Sequence, residues 1–271
     1  WSKIAATRAV NDFKTVTSYR LVGAQDFEQV APDGKLKHGK IADQSYTNQV
    51  KTYGKMFAIT RQDMINDDLG ALQNIPKMIG RGGALKLNDV FWTEFIAGDG
   101  TFWHTSHATA GDTGNANKTT GAFASSTLAT AEALFMNQVD PYAKPISVEP
   151  KLLLVPPALK RKAMELMSSA FFVSGNTTKE PSANTFQNAY EIVVSTYLQN
   201  ASYGNSSAIY YLLADPRDLP VIEVAFLNGQ QSPTVEEVDV DSDMLGMSFR
   251  GYFDFGVSKQ DYRGGVKSTG A

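Results

Sequence analysis

Apolar and polar residues alternate along two early runs, KTVTSYRLVGAQDF at 14–27 and SYTNQVKTYGKMFAIT at 45–60. A period of two predicts a pair of β-strands. The polar segment between them, EQVAPDGKLKHGKIADQ, is dense in turn chemistry: Pro32-Asp33-Gly34, then Gly39. Over 28–52 only 7 of 25 residues are apolar, against 42% for the chain. Such a hairpin buries little against its own chain, and its long open edges are a liability unless another chain covers them. The pattern therefore predicts an arm that lies on a neighbouring subunit.

The period then changes. Residues 61–68 (RQDMINDD) read as a short polar helical turn. Asn74 is placed as an N-cap, Pro76 falls in a first helical turn, and Ala84, Leu87, Phe91 and Phe95 form one apolar stripe on a helix that ends near Gly98. Gly80, Gly82 and Gly83 interrupt its early part. Each costs about 1 kcal/mol of helix propensity, which predicts a close approach of another backbone there. A polar loop follows at 98–121. A second helix is predicted over 126–139, with Ser125 or Ser126 as its cap and Leu128, Ala131 and Phe135 on one face. KLLLV (151–155) reads as a buried strand stopped by Pro156 and Pro157, and 158–172 as a third helix before a loop at 174–187. Further strands are predicted at 190–197 and 208–214, flanking a turn at Gly204, then at 221–227, 234–240 and 247–257. The whole is α+β, with helices and antiparallel strands segregated.

At 271 residues the chain suffices for one large or two small domains. Charged residues are 20% and the net charge is −3, which excludes a generally basic nucleic-acid binder. No apolar run approaches the roughly 20 residues of a membrane span, and WSKIAATRAV has no apolar signal region. The start at Trp1 rather than Met suggests a trimmed or processed chain. Cysteine is absent, so disulfides, thiolate metal sites and cysteine nucleophiles are excluded, and a reducing cytoplasm suits the composition. Charge is unevenly placed: residues 1–61 carry a balance of +5 and residues 215–254 one of −7. One reading is two solvated surfaces. The other is complementary patches that meet between copies and set register, giving assembly that weakens or changes form as salt rises. It makes Lys35, Lys37, Lys40, Lys51, Lys55, Glu236, Glu237, Asp239, Asp241 and Asp243 the candidate inter-subunit contacts.

Candidate chemistry is thin. His104 and His107 form an H-x-x-H pair with Asp112 five residues on, the basis of a metal-dependent hydrolase as an alternative function. The pair lies in a Thr/Gly-rich loop, without an HExxH pattern. Asp239, Asp241 and Asp243 resemble the start of a calcium loop, but Met244 stands where that loop needs Gly and Arg250 where it needs Glu. Alternating Val238 and Val240 suggest instead a strand with an acidic face. Gly80-Arg81-Gly82-Gly83 is no dinucleotide fingerprint, because Leu85 replaces the third glycine and no strand precedes it. No catalytic residue, cofactor or resident metal is assigned.

Several segments in order resemble the major head (capsid) proteins of tailed bacteriophages, most closely the Mu-like prophage major head subunit family. They are RQDMINDDLGAL (61–72), GGALKLNDVFWTEF (82–95), KLLLVPPALKRKAMELM (151–167), YEIVVSTYL (190–198), YYLLADPRDLPVIEVAFLNGQQSP (210–233) and DFGVSKQDYRGGVKSTGA (254–271). The resemblance implies the HK97-like capsid fold: an N-terminal arm (1–13), an extended loop (14–60), a peripheral domain with a long spine helix (61–144), an axial domain (145–232), and return strands with a C-terminal tail (233–271). It implies a non-enzymatic subunit that assembles into hexamers and pentamers of an icosahedral head, built in a bacterial host cytoplasm around double-stranded DNA without sequence specificity. Portal, decoration protein and prohead protease are the further partners it implies, and no membrane. An encapsulin-like nanocompartment shell shares the fold and is the alternative.

Overall fold

The computed structural model describes residues 1–23, 41–66, 74–107, 115–141, 143–173, 181–238 and 245–270. One sheet is organised by its longest strand, β13 (Gly246–Lys259). Along one side β13 pairs antiparallel with β4 (Lys51–Thr60), from Gly246↔Thr60 to Phe255↔Lys51. Along the other it pairs with β12 (Thr234–Val238) and then with β11 (Ile222–Leu227), on which β1 (Ala6–Val10) adds in parallel.

Helix α2 (Ile75–Ile96) packs on this sheet. The expected stripe is buried at Leu87, Phe91 and Phe95 and is widened by Ile79 and Trp92, but Ala84, expected on it, is exposed. Pro76 lies in the first turn, but the Asn74 side chain makes no capping bond. The early glycines have different reasons. A Cβ at Gly83 would stand 2.8 Å from the Pro233 ring, whereas Gly82 faces open space. The close approach is thus a side chain of the strand region rather than a backbone. The matching glycine on the sheet is Gly251, where a Cβ would meet Ile79 Cγ2 at 2.1 Å.

The second sheet has the order β5 (Lys118–Thr119), β14 (Gly265–Ser268), β10 (Tyr210–Leu213), β6 (Leu152–Val155), β9 (Glu191–Val194). Helices α3 (Ser125–Met136) and α4 (Lys160–Ser168) share its core, where Leu128, Ala131, Phe135, Ala163 and Met167 meet Leu153, Val155, Tyr210 and Leu212. Strand β6 lies between β9 and β10, so the strands flanking Gly204 are not partners. The β6–α4–β9 unit crosses over and returns parallel, as a helical connection allows. With β1–β11 and β5–β14 also parallel, both sheets are mixed, which corrects the expectation of antiparallel strands alone.

Other boundaries also move. The third helix stops at Ser168, and Phe171–Val173 forms β7 against β8 (Pro181–Ala183) inside the expected loop. The second helix starts at Ser125 after Ala124, whose N–H donates to Thr127 Oγ1 at 3.1 Å, so no serine caps it. The first residues, expected as an arm, dock on their own chain. Ile4, Ala5 and Val10 are buried, and the Trp1 ring sits 5.8 Å from Phe226. The second early run is two strands: β3 (Ile41–Asn48) pairs with β2 (Val16–Gly23), while β4 belongs to the β13 sheet. The chain turns at Gln49 and Val50. Val50 is buried with Val10 and Ala225, and Gly256 lets Gln49 O approach to 2.2 Å of where a Cβ would stand.

Candidate inter-subunit surface

Strands β2 and β3 form a two-stranded sheet of their own, in register from Val16↔Asn48 to Gly23↔Ile41. Among the described residues, the hairpin is fastened to the body at these points. Ser258 Oγ donates to Thr47 O at 2.6 Å, Asn48 Nδ2 to Glu223 Oε1 at 3.1 Å, and Gln49 Nε2 to Phe13 O at 3.0 Å. Arg8 bonds Ser18 Oγ, and Arg263 Nη1 donates to Gln44 Oε1 at 3.0 Å. Tyr19, opposite Ser45, is 65% exposed, an aromatic surface on the hairpin. Lys35, Lys37 and Lys40 lie outside the described residues.

Lys51 and Lys55 are exposed on β4, an edge strand, with Lys55 Nζ 5.2 Å from the Phe57 ring centroid. Glu236 and Glu237 lie on β12, the opposite edge strand, with β13 between. The structure therefore separates Lys51 and Lys55 from Glu236 and Glu237, on opposite borders of one sheet. Glu236 is engaged within its chain. Arg250 Nη2 donates to it at 2.8 Å and the Tyr252 hydroxyl at 3.0 Å, and these bonds hold its carboxyl below the usual range. Glu237 is exposed. Asp239, Asp241 and Asp243 lie outside the described residues.

At the same end of the sheet, sequence reasoning missed an apolar group. Helix α1 (Arg61–Ile65) begins with a capping box between Thr60 and Asp63. Arg61 N–H donates to Leu245 O at 2.9 Å, which holds the helix beside the start of β13. This leaves Met56, Met64, Ile65 and Leu245 exposed, Leu245 at 76%. Grouped exposed apolar side chains mark association surfaces more often than scattered ones do. The signal was present in RQDMINDD, where two apolar residues occupy a turn too short to bury them.

The histidines serve the fold of their loop. His104 Nδ1 accepts from Ser106 N–H at 3.0 Å. His107 Nε2 donates to Asn117 Oδ1 at 3.0 Å, and its ring stacks on Tyr262 at 3.7 Å. Asn117, fully buried, also donates to Phe102 O and Tyr262 O. Among the described residues no group of three His, Cys, Asp or Glu is placed to hold a metal, and Asp112 lies outside them.

Asp99, just past α2, joins the helix end to the second sheet. It accepts from Lys118 Nζ at 2.8 Å and from Lys267 Nζ at 2.9 Å. Burial opposes its charge, but the two lysines outweigh it and lower its pKa. A carboxylate with a depressed folded pKa contributes stability above its unfolded pKa of about 3.9, and that contribution is lost as pH falls through the folded value. Asp99→Asn is therefore expected to lower subunit stability by a constant amount from neutral pH to about 5, the difference shrinking below about 4. Urea titrations at stepped pH measure it; a difference that grows on acidification contradicts the assignment.

A family described as phage capsid protein matches residues 44–268. No curated protein matches the chain. Among solved structures, the asymmetric unit of the bacteriophage PhiM1 mature capsid aligns with TM-score 0.64 at 10% identity, covering 98% of this chain and 85% of that one. The capsid structure of the cyanophage P-SCSP1u aligns with TM-score 0.63 at 12% identity, covering 98% and 86%. The cyanophage Pam1 capsid asymmetric unit aligns with TM-score 0.60 at 13% identity, covering 98% and 88%.

Proposed function

The chain belongs to the phage capsid protein family and is a structural protein of HK97-like fold rather than an enzyme, and on that premise we propose that it is the major subunit of an icosahedral phage head, assembling as hexamers and pentamers around double-stranded DNA. The family match does not single out the Mu-like prophage group that the sequence resembles. The observation that carries the assembly reading is the β2–β3 hairpin, a separate two-stranded sheet rooted on its own chain but absent from both large sheets. An isolated two-stranded hairpin is marginal in water, so it gains its order from a neighbour. We assign the inter-subunit arm to residues 16–48, a narrower span than 14–60. We take the β13 sheet with α2 as its spine for the peripheral domain and the β10 sheet with α3 and α4 for the axial domain, which moves α3, β11 and β14 across the boundaries of 61–144, 145–232 and 233–271 expected from the sequence.

A thin shell built from one chain gains stability where subunits overlap. Obligate interfaces bury about 2,000–5,000 Å², and arms add area without thickening the wall. The near-neutral charge suits a container that holds its genome without trapping it. Portal, decoration protein and a prohead protease complete the reading as partners, with assembly in the host cytoplasm and residence in the virion.

Contact between Lys35, Lys37 and Lys40 of one copy's hairpin and the acidic 236–243 segment of another sets register. Each exposed ion pair contributes only about 0.2–1 kcal/mol, so its weight comes from repetition at every contact. Reversing charge at Glu237, Asp239, Asp241 and Asp243 to lysine is expected to impair assembly more than solubility. Sedimentation of the variant against the parent across a salt series measures this. Normal particles from the variant would remove the charge-complementarity reading.

A further inference from the structure

We propose that the β13 sheets of neighbouring copies join edge to edge, with β12 of one copy adding in parallel to β4 of the next. This contact is one part of the assembly reading given above and rests on it.

Among the described residues no strand lies beyond β4 or beyond β12. Alternate residues of such an edge turn unpaired N–H and C=O groups outward, a template for another chain. Along the ten residues of β4 only Ile59 is buried and Tyr53 partly buried; the rest are exposed. β4 and β12 both run antiparallel to β13, so they are parallel to each other. A copy set beside β4, with its helix α2 on the same side of the sheet, therefore presents β12 in parallel.

The faces match. Gly251, Phe253 and Phe255 of β13 point toward α2: a Cβ at Gly251 would meet Ile79, and the two phenylalanines share a core with Phe91 and Phe95. Directly opposed residues of paired strands share a face. Tyr53 and Lys55 of β4, opposite Phe253 and Gly251, are thus on the α2 side, and Lys86 of α2 lies over the Tyr53 ring. Val235 and Glu237 of β12, opposite Gly251 and Phe249, are on that side too. Lysine and glutamate at the two edges therefore lie on one face of a joined sheet.

The same parity fixes the register. Glu237 stands opposite either Lys51 or Lys55. With Lys51, residues 234–236 would fall at 48–50, before β4 begins. With Lys55, the whole of β12 (Thr234–Val238) lies on 52–56. Thr234 then meets Thr52, Val235 meets Tyr53, Glu237 meets Lys55, and Val238 covers Met56, which is 63% exposed. Paired threonines, an aromatic beside a β-branched residue and opposite charges are the cross-strand pairs that stabilise sheets. Pairing of β4 with itself, antiparallel and centred on Tyr53, would instead set Lys51 opposite Lys55 twice, and like charges so placed are destabilising. Glu236 stays with Arg250 on the other face, and Asp239, Asp241 and Asp243 follow the paired strand in sequence, so the hairpin lysines keep their own carboxylates. A head-to-tail contact of this kind closes into a ring when the rotation between copies allows it.

The chain has no cysteine, so a disulfide reads the contact directly. Thr52→Cys with Thr234→Cys, in the full chain, retains Lys55 and Glu237. Within one copy β13 separates the two positions by two strand spacings, about 9.5 Å, beyond the roughly 7 Å that a disulfide bridges. Any disulfide therefore links two copies. Mild oxidation of the assembled protein is expected to give a ladder of linked chains on a non-reducing denaturing gel. Met56→Cys with Glu237→Cys, on opposite faces, is expected to give none. Lys55→Glu added to the first pair is expected to cut the linked fraction several-fold, and Glu237→Lys added in turn to restore it. No ladder from the first pair, an equal ladder from the opposite-face pair, or no restoration by the charge swap overturns the proposal. Electron microscopy of the same samples separates it from the assembly reading. Particles without a ladder remove the edge contact alone, whereas neither particles nor ladder removes both.

Discussion

Deleting residues 32–40 from the hairpin is expected to abolish closed particles while leaving a soluble, folded subunit. The two larger core clusters are formed by described residues outside that segment, with α2, α3, α4 and the two large sheets among them. Among the described residues, the hairpin meets the body through Ser18, Gln44, Thr47 and Asn48. On the proposed assembly, the deletion removes area offered to a neighbour, together with Lys35, Lys37 and Lys40. Interfaces much smaller than about 1,000 Å² are those of transient contacts. Circular dichroism of the variant should match the parent and sedimentation should show subunits in place of particles. An unfolded variant would mean the hairpin belongs to the core.

Phe95→Ala is expected to cost the subunit about 3–5 kcal/mol, the range for a large aromatic removed from a packed interior. Phe95 is 1% exposed, and its ring lies 5.8 Å from Trp92, 5.8 Å from Trp103 and 5.1 Å from Tyr211. Trp103 Nε1 also donates to the Phe95 carbonyl at 3.3 Å. Tyr211 is on β10 and Phe95 on α2, so the ring sits where the spine of one sheet meets the other. The loss is a large share of a typical total of about 5–15 kcal/mol. Urea unfolding of the parent and variant subunits measures it as a fall in midpoint at constant slope. A loss under about 1 kcal/mol would contradict the packing at this joint.

The strand and helix periods were legible where one face is buried and the other wet. Leu87, Phe91 and Phe95 announced α2, and the alternation at 14–23 announced β2. The fold departed from the sequence reading where burial is two-sided or elements are short. Strand β14, GVKS, is fully buried yet only four residues long, with one large apolar side chain, and no period can show in it. The docking of β1 was missed because Ala6–Val10 pairs with a strand over 200 residues away, which no local pattern encodes. The break at Gln49 and Val50 carries no Gly or Pro of its own; Gly256, across the sheet, makes room for it. At the candidate surface, the sequence placed Lys51, Lys55, Glu236 and Glu237, but not their division between opposite edges. Nor did it show that Glu236 is taken by Arg250 and Tyr252. The hydrogen bonds of Arg263 to Gln44 and Val139 were invisible too, because those residues are distant in sequence.

Electron cryomicroscopy of the purified full chain tests the central claim most directly. The account predicts closed shells in which density for strands 16–48 of each subunit lies across the body of the next. A population of single compact molecules at every protein and salt concentration, with that hairpin folded back on its own sheets, would contradict it.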